Sequence, residues 1–139
     1  MRKTVEARQL LRIVDANFNR AKEGLRVCED VCRYGFDQPA MTRGLKDIRH
    51  GLTDALTALE IFEVIAARNI KGDVGRATTA SESKRAHLKD IFYANAQRVK
   101  EALRVLEEVA KLLNPKCAQH LKELRYRFYA LEQKMVTRR

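Results

Sequence analysis

The sequence predicts an all-α protein, an antiparallel four-helix bundle built from two duplicated helical hairpins. One 17-residue segment occurs twice, at 16–32 and 94–110, with ten identical positions. Apolar residues recur at three- and four-residue spacing through most of the chain, which is typical of amphipathic helices. No segment shows the sustained alternation of apolar and polar residues that a half-buried strand requires. The repeat therefore indicates two copies of one helical unit.

Helix-breaking residues divide the first copy into two helices. The first is expected at about 4–34 and the second at about 40–67. A turn that contains Gly35 and Pro39 separates them, and Pro39 is suited to the first position of a helix. The first half of the repeat is therefore predicted over residues 4–67.

The second half repeats this arrangement over residues 82–136. Its first helix is expected to start after a cap at Thr79 or Ser81. An Asn-Pro pair ends that helix, and the last helix follows at about 116–136. The loop 68–81 is expected to join the two halves.

Length and composition suit a single helical domain over residues 1–139. Apolar residues make up 45% of the chain and charged residues 33%. These values exclude a disordered tail, a collagen-like repeat and a disulfide-dense secreted module. No apolar stretch approaches the roughly 18–20 residues that a membrane helix needs, so no membrane partner is expected.

The cysteines and the net charge suggest a compartment and a class of partner. Cys28, Cys32 and Cys117 cannot pair completely, which favours small core residues in a reducing, cytoplasmic setting. The chain has 28 Lys and Arg against 18 Asp and Glu, a net charge of +10. Such a charge favours an anionic partner.

The loop 68–81 is long for a connection within a compact domain, and such loops are usually functional or disordered. Its Gly72-Asp73-Val74-Gly75 segment lacks the Lys and Ser or Thr of a phosphate-binding Walker loop. A bare Gly-x-x-Gly is a weak pattern, and an ordinary turn is the preferred interpretation of it.

A polar set recurs where each long helix faces the core. On a helical wheel Asn17 lies on the apolar face, Arg20 at its edge and Glu23 beyond the edge. The second copy repeats these residue types as Asn95, Arg98 and Glu101. Buried amides and guanidinium groups need partners. The two sets are therefore expected to line a polar pocket between the first and third helices.

A purely structural interpretation of the same residues stays open. Asn17 and Asn95 would pair with each other to fix helix register. Each arginine of the set would then form a surface pair with the glutamate three positions later. Gly24, with Ala102 as its counterpart, either permits close helix approach or leaves room for a ligand.

Four motifs in a fixed order resemble a small helical family. They are Asp15-Ala16-Asn17-Phe18-Asn19-Arg20-Ala21-Lys22-Glu23-Gly24-Leu25-Arg26, Leu45-Lys46-x-x-Arg49-His50, Arg68-x-x-x-x-Asp73-Val74-Gly75 and Ala94-Asn95-x-x-Arg98-x-x-Glu101-Ala102-Leu103-Arg104. The family is the monofunctional hydroxymethylpyrimidine-phosphate kinase of thiamin biosynthesis, which occurs alone or fused in front of thiamine-phosphate synthase. The resemblance covers nearly the whole chain.

The resemblance implies transfer of the γ-phosphoryl group of ATP to hydroxymethylpyrimidine monophosphate, with Mg²⁺ as the metal. A phosphate monoester is already a nucleophile, so catalysis reduces to positioning and charge neutralisation. The catalytic residues implied are Arg20, Glu23, Arg98 and Glu101. The substrate-binding residues implied are Asn17, Asn95, Arg49 and Arg125. The cofactor-binding residues implied are Arg68, Asp73 and Gly75, and the candidate Mg²⁺ ligands are Glu23, Glu101 and Asp73.

Three other functions stay open. The chain can be a non-catalytic partner of thiamine-phosphate synthase, retained for channelling or for forming a homodimer. It can be a basic nucleic-acid-binding module, although its cations are interleaved with acids and form no stripe. A chorismate-mutase-like enzyme also uses arginines inside a helical bundle, but it lacks the duplicated motif.

Overall fold

The coordinates are a computed structural model that describes residues 5–78 and 84–137. Every regular element in these ranges is helical, which confirms the all-α prediction. The α-helices are α1 (Val5–Asp30), α2 (Pro39–Leu56), α3 (Ile61–Ala66), α4 (Leu88–Leu113) and α5 (Pro115–Thr137). A π-helical turn, Val31–Gly35, continues α1, and a 3₁₀ turn, Thr57–Leu59, follows α2. None of the described helices has the length and apolar character needed to cross a membrane.

The second predicted helix is interrupted at Glu60, whereas the sequence predicts one helix over 40–67. Glu60 has a φ of 50°, in the left-handed region that ends a right-handed helix. The interruption lets Leu59 and Val64, on either side of it, both reach the core. The short helix α3 then packs against α1.

The helix α4 begins at Leu88, later than the predicted start near residue 82. The Asp90 carboxylate accepts hydrogen bonds from the backbone N–H groups of His87, at 2.9 Å, and Ala86, at 3.0 Å. These two bonds lower the pKa of Asp90. His87 and Asp90 thus form the capping box that starts the helix. The predicted caps Thr79 and Ser81 lie outside the described residues.

The four long helices pack as a ring in which neighbours run in opposite directions. Lys22 of α1 donates to Thr53 of α2 at 2.7 Å, and Glu29, further along α1, pairs with the earlier residue Arg49. The helices α4 and α5 repeat this arrangement through Lys100 with Glu132 and through Glu107 with Arg125. The helix α1 also packs against α4, and α2 against α5. The apolar core lies inside the ring.

The helices α1 and α4 approach each other closely at Gly24. A Cβ atom at this position would lie 2.8 Å from Cγ2 of Val99 and 3.2 Å from the backbone oxygen of Asn95. Of the two roles expected for Gly24, the structure supports close helix approach. Arg20 lies one helical turn before Gly24 on α1. The close contact at Gly24 therefore also sets the distance between α4 and the polar residues of α1.

We predict that Gly24→Ala lowers the free energy of unfolding by about 1–3 kcal/mol, the usual cost of overpacking a core. The β-branched side chain of Val99 has little rotamer freedom in a helix, and the backbone of Asn95 cannot turn aside. Urea denaturation measures the change. The control is Gly44→Ala, where the new methyl group meets only the tip of the half-buried Leu131 side chain. Equal stability of the two variants would contradict the prediction.

Candidate functional site

A first cleft lies between α1 and the segment that follows α3. Its volume is about 940 Å³. Seven of the residues that line it carry charges: Arg12, Asp15, Arg20, Glu23, Arg68, Asp73 and Arg76. Four of these are arginines and three are carboxylates, so the cleft has a small excess of positive charge.

A second cleft of about 490 Å³ lies between α1 and α4. It is lined by Asn17, Arg20, Arg98, Glu101, Ala102 and Val105. Asn17 and Arg20 line both clefts and therefore stand at their junction. The structure thus brings together most of the predicted polar set, but Asn95 lines neither of these clefts.

The two asparagines are held by their own helices. Asn17 donates its side-chain N–H to the carbonyl of Ile13 at 2.9 Å, and Asn95 donates to the carbonyl of Ile91 at 2.8 Å. No hydrogen bond joins Asn17 to Asn95 in the described part of the chain, so the register-fixing pair is not formed there. From the residues that the structure describes, the side-chain oxygen of Asn17 accepts only a long contact, 3.5 Å, from Arg20.

The charged side chains at the junction have few partners within the protein. Across residues 5–78 and 84–137, the side chains of Arg98, Glu23 and Glu101 make no hydrogen bond or ion pair. Among the described residues, Arg20 makes only its long contact with Asn17. The surface pairs of the structural interpretation, Arg20 with Glu23 and Arg98 with Glu101, are therefore absent. The guanidinium groups of Arg20 and Arg98 are available to hold an anion, which arginines commonly bind through two N–H groups.

Arg49 and Arg125, for which the resemblance implies substrate binding, line neither cleft, and each neutralises a buried glutamate between helices. Arg49 donates to Glu29 at 3.0 Å. Arg125 donates to Glu107 at 3.1 and 2.9 Å and to the Tyr129 hydroxyl at 2.9 Å. Burial opposes the charge of Arg125, but the bonds to Tyr129 and Glu107 raise its pKa. A buried carboxylate without a counter-charge is costly, so these two arginines stabilise the fold.

The sequence contains evidence for these ion pairs that a helical wheel of a single helix cannot show, namely the recurrence of both partners in the repeat. Glu29 and Glu107 are identical in the two copies of the repeat, and the arginines that they bind recur in its weaker second part. A pair of opposite charges that recurs in both halves indicates a contact within each half.

Arg68 binds another part of the chain. Its Nε and Nη2 atoms each donate to the Asp15 carboxylate at 2.7 Å, and both residues line the first cleft. The hydrogen bonds and the charge of Asp15 raise the pKa of Arg68. Asp73 also lines this cleft, and its carboxylate accepts the backbone N–H of Gly75 at 3.0 Å. Gly75 shapes this turn and lines neither cleft.

The predicted Mg²⁺ ligands are divided between the clefts. Glu23 and Asp73 line the first, and Glu101 lines the second. Among the described residues, no three His, Cys, Asp or Glu side chains converge on a point where they could hold a metal. Mg²⁺ is often held by one or two carboxylates together with substrate phosphates, and Glu23 and Asp73 are two carboxylates that line the same cleft.

The fold and the junction define a helical protein with two arginines, Arg20 and Arg98, that form no ion pair within residues 5–78 and 84–137 and line a polar cleft. The chain belongs to the ThiD2 family, whose model matches residues 12–134. It is 42% identical over 126 residues to a thiamine-phosphate synthase of Nostoc punctiforme, covering 90% of this chain and 35% of the relative. It is 43% identical over 132 residues to a thiamine-phosphate synthase of Thermosynechococcus vestitus, covering 94% and 36%.

A third relative, a thiamine-phosphate synthase of Rhodopirellula baltica, is 42% identical over 136 residues, or 94% of this chain and 36% of the relative. The chain therefore spans about a third of the length of these curated relatives. No solved structure matches it. The family and the relatives connect the chain to thiamin biosynthesis. They contradict the predicted ATP-dependent kinase, because the relatives are named for a different reaction.

We predict that Arg125→Met lowers the free energy of unfolding by about 3 kcal/mol, since removing one partner leaves Glu107 as an uncompensated buried charge. Urea denaturation of the purified chain measures the loss. Arg127→Met on the same helix is the control, because Arg127 is exposed. If the two variants unfold at the same urea concentration, Arg125 does not have the structural role assigned to it.

Proposed function

We propose that this chain is a non-catalytic helical partner domain of thiamine-phosphate synthase, and that it binds a phosphorylated pyrimidine of the thiamin pathway. One observation carries the proposal. Arg20 stands where the two clefts meet, without a carboxylate partner among the described residues, and Arg98 lies in the same cleft. Two guanidinium groups that form no ion pair with the described residues favour an anionic ligand at this point.

The chemistry of the junction suits a phosphate monoester attached to an aminopyrimidine. Such a phosphate is mostly dianionic at neutral pH, because its second pKa is near 6. Arg20 and Arg98 would hold its oxygens through paired N–H groups. Glu23 and Glu101 can only accept hydrogen bonds when ionised, and an exocyclic amine is a donor. Asn17 would present its side-chain oxygen at the junction.

The partnership with the synthase is supported by the relatives. Proteins named thiamine-phosphate synthase contain a region like this chain in about a third of their length. A domain that binds a phosphorylated pyrimidine next to a synthase would raise the local concentration of that ligand, as any linked binding site does.

ATP and Mg²⁺ stay predictions, and both suit the first cleft. Glu23 and Asp73 line it and can share a Mg²⁺ ion that arrives with a phosphate group. Arg12 and Arg76 line the same cleft and can hold further phosphate oxygens. Binding measurements with and without each compound test these two predictions separately from the main proposal.

Isothermal titration calorimetry with hydroxymethylpyrimidine monophosphate tests the binding proposal. Arg20→Ala should weaken binding at least about tenfold, because one hydrogen-bonded charge is commonly worth 1.5–3 kcal/mol. Arg26→Ala is the matched control, since this exposed arginine of α1 pairs with Asp30 and lines neither cleft. The pyrimidine alcohol, which lacks the phosphate, should bind more weakly than the monophosphate.

Two results would contradict the proposal. Equal weakening by Arg20→Ala and Arg26→Ala would mean that the ligand responds only to the overall positive charge. An absence of heat with the monophosphate, with or without Mg²⁺, would remove the ligand from this cleft. Gel filtration of the chain with a thiamine-phosphate synthase that lacks this region tests the partnership, which predicts co-elution.

A further inference from the structure

The segment 67–78 forms one wall of the first cleft but has little contact with the rest of the protein. Every residue from Arg68 to Thr78 is exposed. Two short turns organise it from within, since Asn69 accepts the backbone N–H of Gly72 at 2.9 Å and Asp73 accepts that of Gly75 at 3.0 Å. Internal turns give a segment shape without fixing where it lies.

The pair between Arg68 and Asp15 supplies the connection to α1. Asp15 is 5% exposed, and both oxygens of its carboxylate accept hydrogen bonds from Arg68. The side chain of Asn19 donates to the same carboxylate at 3.2 Å. A planar guanidinium held at two atoms fixes orientation as well as distance. No other side-chain hydrogen bond or ion pair joins residues 68–78 to α1 in the described part of the chain.

The carboxylate of this pair has no counterpart in the second copy of the repeat. The position that corresponds to Asp15 in the second copy is Tyr93, and the position that corresponds to Arg12 is Asp90, which caps α4. The polar set at the junction is duplicated, but the carboxylate that anchors the wall of the first cleft is not. The two halves of the repeat therefore differ at the residues that border the first cleft, and a ligand could bind the two halves differently there.

We propose that Asp15 and Arg68 are positioning residues: their ion pair fixes segment 69–76 as the outer wall of the first cleft and holds Asp73 and Arg76 beside Arg20. The role differs from the ligand contact that the sequence resemblance implies for Arg68. Its consequence for ligand affinity rests on the proposed function, whereas the placement of the segment does not.

Limited digestion with trypsin tests the placement, because the segment contains cleavage sites at Lys71 and Arg76. Asp15→Asn keeps every site and the shape of the side chain but removes the charge. It should speed initial cleavage at Lys71 and Arg76 about tenfold relative to cleavage at the exposed Arg85, because a segment without its anchor opens more often. Mass spectrometry measures both rates in the same sample.

A second variant and a control accompany this experiment. Arg68→Lys keeps the charge and the cleavage site but cannot make the two-atom contact, so it should also speed cleavage of the segment. Asp47→Asn removes an exposed carboxylate from α2 and should leave the cleavage ratio unchanged. Circular dichroism shows whether each variant keeps its helices.

The same variants are titrated with hydroxymethylpyrimidine monophosphate. Weaker binding, by about fivefold or more, together with faster cleavage supports the whole inference. Faster cleavage with unchanged affinity would show that the ion pair fixes the segment and would overturn the claim that the fixed segment contributes to ligand binding. Unchanged cleavage in both variants overturns the placement itself. If the unmodified chain does not bind the compound, the proposed function fails, and the digestion still decides whether the pair anchors the segment.

Discussion

The close contact between α1 and α4 at Gly24 is the constraint on which the junction of the two clefts depends. The backbones can approach only because position 24 has no side chain to meet Val99. Arg20 and Asn17 lie on the next turns of α1, opposite the part of α4 that carries Arg98. If these helices stood further apart, the two guanidinium groups would no longer share one cleft. A single glycine therefore links helix packing to the electrostatics of the site.

The duplication builds a symmetric frame and leaves an asymmetric site. Each half has one buried ion pair between its helices, Glu29 with Arg49 and Glu107 with Arg125. These pairs are the same in both copies because each must neutralise a carboxylate that the fold buries. The first cleft is bounded by α1 and the segment after α3, and Asp15, which anchors this segment, has Tyr93 at the corresponding position of the second copy. The repeat therefore accounts for the two interhelical ion pairs, and the residues that differ between its copies lie at the first cleft.

Much of the fold could be predicted from the sequence, because helical periodicity is a local property. The wheel placed Asn17 on the core side and Arg20 at its edge, and the structure has Asn17 buried and Arg20 exposed. The interruption of the second predicted helix at Glu60 could not be predicted, because the apolar pattern of the sequence continues across this residue. The partners of Arg49 and Arg125 were also missed. A long guanidinium side chain can reach either a cleft or a distant glutamate, and only the packing of two helices decides between them.

A nuclear magnetic resonance titration of the labelled chain with hydroxymethylpyrimidine monophosphate tests the central claim most directly, because it locates the bound anion. We expect the backbone shifts to concentrate on α1 near Arg20, on α4 near Arg98 and on the segment that carries Asp73. Shifts that instead centre on Arg33 and Arg43, the cations beside the turn between α1 and α2, would contradict it. Weak shifts spread evenly over all exposed lysines and arginines would contradict it as well.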